Sequence, residues 1–213
     1  MSKKVLPNVF LWLFIGLLIT FGTGFMVSTN ANMVKNLFGG YLYVILAIVE
    51  IGLAVFLSMR INKMKPTTAT CIYLLYTFLS GLTFSMIFLT YKIESIIFVF
   101  LIAAILFGIF ALIGKFTKID LSKIGIYLLM AFLGILILNI INIFLMNRTL
   151  NIITCSIGIL VFLGYTAYDI QMIKRMDVGF GTRNVAIYGA LSLYIDFVNL
   201  FIDLLNLFGD SRR

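Results

Sequence analysis

The 213-residue chain is 62% hydrophobic and 11% charged, with a mean hydropathy of +1.15, whereas a soluble domain is about half apolar and a quarter charged. That composition excludes a soluble fold, and at about 20 residues per crossing it allows roughly six to eight membrane spans in one transmembrane domain, 1–213, with no room for a globular part. The net charge of +8 does not indicate nucleic acid, because Lys and Arg fall in short groups between apolar runs and not along one face.

Lys3 and Lys4 precede an apolar stretch from Val9 to Val27. It is long for the core of a signal peptide and no A-x-A cleavage site follows, so it is predicted to be the first span. Further runs lie near 41–59, 69–91, 94–114, 123–146, 151–173 and 186–208, making seven with 9–28. They are continuous in Leu, Ile and Phe and do not alternate as barrel strands would, which predicts an all-α polytopic fold. Cys71 and Cys155 fall inside spans, in no metal-like spacing, and read as small apolar residues; the ten Met and the Phe read as apolar filling. Gly108, Gly114, Gly125 and Gly134 suggest close helix packing, and Asn139 and Asn142 suggest polar contacts between helices.

With the N-terminus inside, the inner segments hold Lys3, Lys4, Arg60, Lys63, Lys65, Lys115, Lys118, Lys123, Lys174, Arg175 and Arg183. The outer segments hold Lys35, Lys92, Arg148, Arg212 and Arg213. Cationic short loops stay cytoplasmic, so a cytoplasmic N-terminus is expected. Seven crossings place the C-terminus outside, unless the last helix re-enters. The short termini point to a prokaryotic plasma-membrane protein; a eukaryotic chain would sit in an endomembrane.

Acids inside spans are costly unless paired, protonated or hydrated, which makes Glu50, Asp169, Asp196 and Asp203 functional candidates. Glu50 lies ten residues before Arg60, about 15 Å along a helix, too far for direct pairing. Arg60 and Asp169 end their runs at similar depth, so a latch between them is possible; Arg60 can equally snorkel to the interface. Ser192, Asp196, Asn199, Asp203 and Asn206 recur at spacings of four, three, four and three, a polar stripe on one helix face. Lipid cannot satisfy such a stripe, so the last helix is expected at the centre of the bundle, with the stripe serving an ion path or a packing seam. With no histidine in the chain, proton sensing falls to carboxylates.

Leu191-Ser-Leu-Tyr-Ile-Asp196-Phe-Val-Asn199-Leu-Phe201 is similar to the C-terminal signature of the transmembrane Bax inhibitor motif family, L-x-L-Y-[LI]-D-[FI]-[IV]-N-L-F. Tyr168-Asp169-Ile170-Gln171 resembles its [YF]-D-T-Q signature. Glu50 in a Leu-rich second helix, Thr83-Phe84-Ser85 after Gly81, and Lys118-Ile-Asp120-Leu-Ser122 strengthen a resemblance that spans most of the chain. It implies six helices around a seventh and a calcium leak regulated by pH through an aspartate pair. Transferred to this chain, that pair is Asp169 and Asp196, with Arg60 as the latch and Glu50 as a pathway acid. Ile170 replaces the usual Thr, which alters packing. Asp203 stands where a neutral residue is common, adding a negative group that bears on cation affinity or pH midpoint.

The physics agrees with such a device. Two nearby carboxylates in low dielectric share one proton, and losing it leaves a hard oxygen site of the kind calcium prefers. On straight helices Asp196 lies about 10 Å deeper than Asp169, so a late start of the last helix or a tilt is expected to bring them together. The expected function is a pH-sensitive calcium leak channel, with Asp169 and Asp196 as ion ligands, Asn199, Asp203 and Glu50 along the path, and calcium as the only cofactor-like ion. The alternatives are a non-conducting regulator that binds other membrane proteins and an intramembrane hydrolase. The absence of histidine and of a Gly-x-Gly-Asp motif argues against the last.

Overall fold

The computed structural model describes residues 5–176 and 182–212, with the backbone alone for Asn62 and Thr182. Lys3, Lys4 and Arg213, counted in the charge asymmetry, lie outside the described residues. The helices are α1 (Val5–Ser28), α2 (Ala31–Phe38), α3 (Leu42–Arg60), α4 (Pro66–Thr90), α5 (Ile93–Phe116), α6 (Gly125–Leu145), α7 (Arg148–Met176) and α8 (Thr182–Phe208). Single 3-10 turns at Ile61–Lys63 and Leu121–Lys123 precede α4 and α6. Among the described residues there are seven helices long and apolar enough to cross a membrane, all but α2, and no strand beyond one isolated bridge between Tyr91 and Ser211. The all-α, seven-span expectation holds.

Local chemistry sets the boundaries. Pro66 occupies the first turn of α4, where a missing N–H costs nothing. The Asn30 side chain accepts from the backbone N–H groups of Asn32 and Met33 to start α2. α8 begins four residues before its apolar run because its polar first turn is anchored: Asn184 Nδ2 donates to the carbonyls of Ile61 and Met64, each at 3.0 Å. Of the two expected ways to bring Asp196 to Asp169, a late start of the last helix or a tilt, the late start is therefore overturned. As anticipated for a central helix, α8 is the most enclosed, with 67% of its spanning window buried against 6% for α3 and for the α6 span. The outward Leu, Ile, Phe and Met side chains of those two helices are what lipid tails cover.

The chain forms two compact units. The first takes Met1–Lys92, Met176–Tyr194 and Ser211–Arg213; the second takes Ile93–Arg175 and Ile195–Asp210. In the first unit α1 lies closely along α4. A Cβ on Gly81 would strike Thr23 and the Thr20 carbonyl, and one on Gly16 would strike the Tyr73 hydroxyl, so both glycines permit this approach. Edge-to-face contacts of Phe21 with Phe84 and Phe88 fill the seam.

Buried hydroxyls complete this unit. Thr20 Oγ1 donates to the Thr77 carbonyl at 2.8 Å, so its 2.7 Å contact with Tyr194 requires the tyrosine to be the donor. Tyr73 donates to the Trp12 carbonyl at 2.8 Å. Tyr194→Phe is expected to leave the Thr20–Thr77 bond intact and cost about 1 kcal/mol, read as a lower midpoint of thermal unfolding in detergent.

In the second unit α7 is approached from several sides. Gly114 of α5 meets the Ala167 backbone, Gly125 of α6 meets the Tyr168 ring, and Gly158 of α7 makes room for the Asp203 carboxylate of α8. Phe100 and Phe107 of α5 stack edge-to-face on Phe197, and Phe100 also on Phe201. Two of the four glycines expected to serve packing do so; Gly108 and Gly134 face open space.

Candidate functional site

The polar stripe of α8 places its acids as its spacing predicts. Asp196 is buried at 4% exposure, and no hydrogen bond reaches its Oδ2 among the described residues. Asp169, half-buried on α7, lies close enough for its charge to act on Asp196, and both act on the Tyr165 phenol. The structure thus brings the predicted pair into one electrostatic group inside the second unit.

The other stripe residues divide. Asn199 turns its amide back on its own helix, Nδ2 donating to the Ile195 carbonyl at 2.7 Å, which leaves only its oxygen for a ligand. Asp203 is half-buried beside Cys155, with an Oδ2 that no hydrogen bond reaches. The Cys155 thiol, 3.9 Å from Asn151 Oδ1, therefore sits in polar surroundings and not in the apolar filling expected of it. Asn206 is exposed near the end of α8. Among the described residues no three His, Cys, Asp or Glu converge as a metal cage.

Glu50 belongs to the first unit. Ser80 Oγ donates to its Oε2 at 3.2 Å, Thr83 lies beside it, and its buried Oε1 has no hydrogen-bond partner. Arg60 ends α3, exposed, also in the first unit. Sequence reasoning missed the Ser80 partner of Glu50 and the helix face that carries it. Thr70, Tyr73, Thr77 and Ser80 recur at spacings of three and four along α4 and all are buried, a second polar stripe that the spacing already carried. It likewise assigned Asn142 to contacts between helices, whereas its Oδ1 accepts from the Asn147 N–H at 2.9 Å and closes the α6–α7 turn.

At the other end of the second unit, the loop between α5 and α6 is tied to α7. Asp120 accepts from the Ser122 hydroxyl at 2.7 Å, the Ser122 N–H at 3.0 Å and Arg175 Nη2 at 2.5 Å. The Ser122 hydroxyl first, and then the Arg175 guanidinium, hold the Asp120 carboxyl well below the usual carboxylate range. A depressed value means that this contact contributes above the ordinary range and is lost only as pH falls through the depressed one. Hydrogen exchange at the Ser122 amide is therefore expected to stay slow through about pH 4, where free aspartates protonate.

Seven spanning helices and buried carboxylates on facing helices define a multi-pass membrane protein with an acidic interior. Residues 2–213 match the family model described as "Inhibitor of apoptosis-promoting Bax1", and the chain belongs to this Bax inhibitor family. It is 37% identical to the inner membrane protein YbhL of Escherichia coli K12, over 99% of this chain and 93% of that one. It is 35% identical to a Borreliella burgdorferi protein over 99% and 94%, and 36% identical to a membrane protein of Streptococcus pyogenes serotype M1 over 72% and 68%.

Proposed function

We propose that this protein is a pH-sensitive calcium leak of a prokaryotic plasma membrane, with a cytoplasmic N-terminus, and that it performs no catalysis. The observation that carries the reading is Asp196: a carboxylate sealed in a spanning helix, one oxygen without a partner, under the influence of Asp169. The pair holds one proton between its carboxyls at acidic pH. As pH rises the proton leaves, and the net negative oxygens draw a hard cation into the span. Asn199 through its oxygen and Asp203, in the same unit, are the further acceptors along the path.

The test is calcium flux into liposomes carrying the purified protein, on both sides of neutral pH. Flux greater on the alkaline side is expected. Wild-type protein that carries no calcium at any pH sinks the proposal and favours the second reading, a non-conducting regulator that binds other membrane proteins. That reading draws on the absence of a convergent three-acid cage among the described residues.

A further inference from the structure

The α5–α6 loop makes more contacts with α7 than a connection between two neighbouring spans requires. Gln171, buried at 8% exposure, accepts the Leu121 N–H at 2.8 Å on Oε1 and donates Nε2 to the Ile119 carbonyl at 2.8 Å. One side chain thus satisfies two backbone groups of the loop. Arg175, one turn on, donates from Nη2 to the same Oε1 at 3.0 Å and to Asp120 at 2.5 Å. Lys174 Nζ donates to the Lys115 carbonyl at 2.6 Å.

Ala167, Gln171 and Lys174 follow at spacings of four and three, so they form one face of α7. That face is held along its length: Ala167 backbone against Gly114, Gln171 by the loop, Lys174 by the end of α5. Asp169 is two residues from both Ala167 and Gln171, about 200° around the helix from each. The grip is therefore behind the acid, where it fixes the rotation of α7 without touching the carboxylate.

We infer that Gln171, with Asp120 and Arg175, is a positioning clamp that sets the rotation of α7 and thereby aims Asp169 at Asp196. Its functional half rests on the conduit reading above; its structural half does not. The clamp makes α7, the end of α5 and their loop one rigid piece, so the movement that admits an ion belongs to the other partners of Asp169. The charged and titratable groups around that turn include Asp196 on α8, Tyr165, Tyr168, Lys174 and Arg175 on α7, Lys115 on α5 and Asp120 in the loop.

The experiment uses the full chain in lipid nanodiscs, with Gln171→Leu, Arg175→Glu and the conservative Arg175→Lys. Two quantities are measured: hydrogen exchange at the Leu121 amide, and the proton titration of the Asp169 carboxyl by infrared spectroscopy, its band assigned with Asp169→Asn. Gln171→Leu is expected to speed exchange about tenfold and to change the apparent proton affinity of Asp169 by about threefold or more. Arg175→Glu is expected to do the same more weakly, and Arg175→Lys, which keeps a cationic donor for Asp120 and Gln171, to leave both near the wild-type values. Unchanged exchange in Gln171→Leu overturns the clamp. Faster exchange with an unmoved titration overturns the positioning role. If Gln171→Leu does not fold, the two Arg175 variants decide alone, and an Arg175→Glu titration no different from that of Arg175→Lys counts against the inference. Wild type that passes no calcium while the titration still moves refutes the conduit and leaves the clamp standing.

Discussion

Asp196→Asn is expected to lower calcium flux by more than about tenfold and to erase what remains of its pH dependence, measured in proteoliposomes across neutral pH. The amide keeps the shape of the carboxyl but can neither share a proton with Asp169 nor present a negative oxygen to a cation. Tenfold corresponds to about 1.4 kcal/mol of lost interaction, modest for a charge in a span. Folding should survive, because replacing a buried carboxylate whose Oδ2 lacks a hydrogen bond by a neutral group relieves a desolvation cost. Retained folding is what makes the flux interpretable. Asp203→Asn, in the same unit but one helical stretch further on, removes a different orphan oxygen; its effect should be on the calcium concentration at half-maximal flux, with the pH dependence kept.

The second large effect concerns packing. Gly114→Val is expected to cost about 3 kcal/mol and to lower the thermal unfolding midpoint sharply, because a Cβ at this position would overlap the Ala167 backbone. A flexible side chain can move aside from an added methyl group, whereas a helix backbone cannot move without opening the α5–α7 seam. Gly108→Ala, on the same helix, is the control. Nothing lies within 4 Å of the added Cβ there, and alanine is the better helix former, so the midpoint should hold or rise slightly.

The spans were legible because a bilayer demands about 20 apolar residues, a signal that polar breaks bracket clearly. α2 was not, since an eight-residue amphipathic segment, Ala31–Phe38, carries too little apolar length to register beside the spans. The early start of α8 was hidden for a related reason: its first turn is polar, and what makes it helical is Asn184 reaching carbonyls some 120 residues away. At the candidate site, the i, i+3, i+4 spacing identified Asp196 and its stripe, because charge in a span is conspicuous by cost alone. The Ser80 partner of Glu50 and the Gln171 grip were not read, since serine, threonine and glutamine are cheap enough in a helix to pass as packing. Their roles depend on which backbone or acid the fold brings opposite.

The α6–α7 connection carries a consequence for how the protein is made. Only Met146 and Asn147 separate the two helices, with Met146 in the left-handed region at φ 48° and Asn147 both donating to Asn142 Oδ1 and accepting from the Leu150 N–H. A turn this short binds the two spans into one hairpin, so neither can choose its direction of crossing alone during insertion. The open ends of that hairpin carry Lys123 on one arm and Lys174 and Arg175 on the other, against Arg148 alone at the turn. Such a hairpin carries its own address: on the rule that cationic ends stay in the cytoplasm, its more charged open ends are expected to be retained and its turn, with Arg148 alone, to be pushed through. The direction of the Asp169 helix is then set with that of α6 and not by the earlier spans alone.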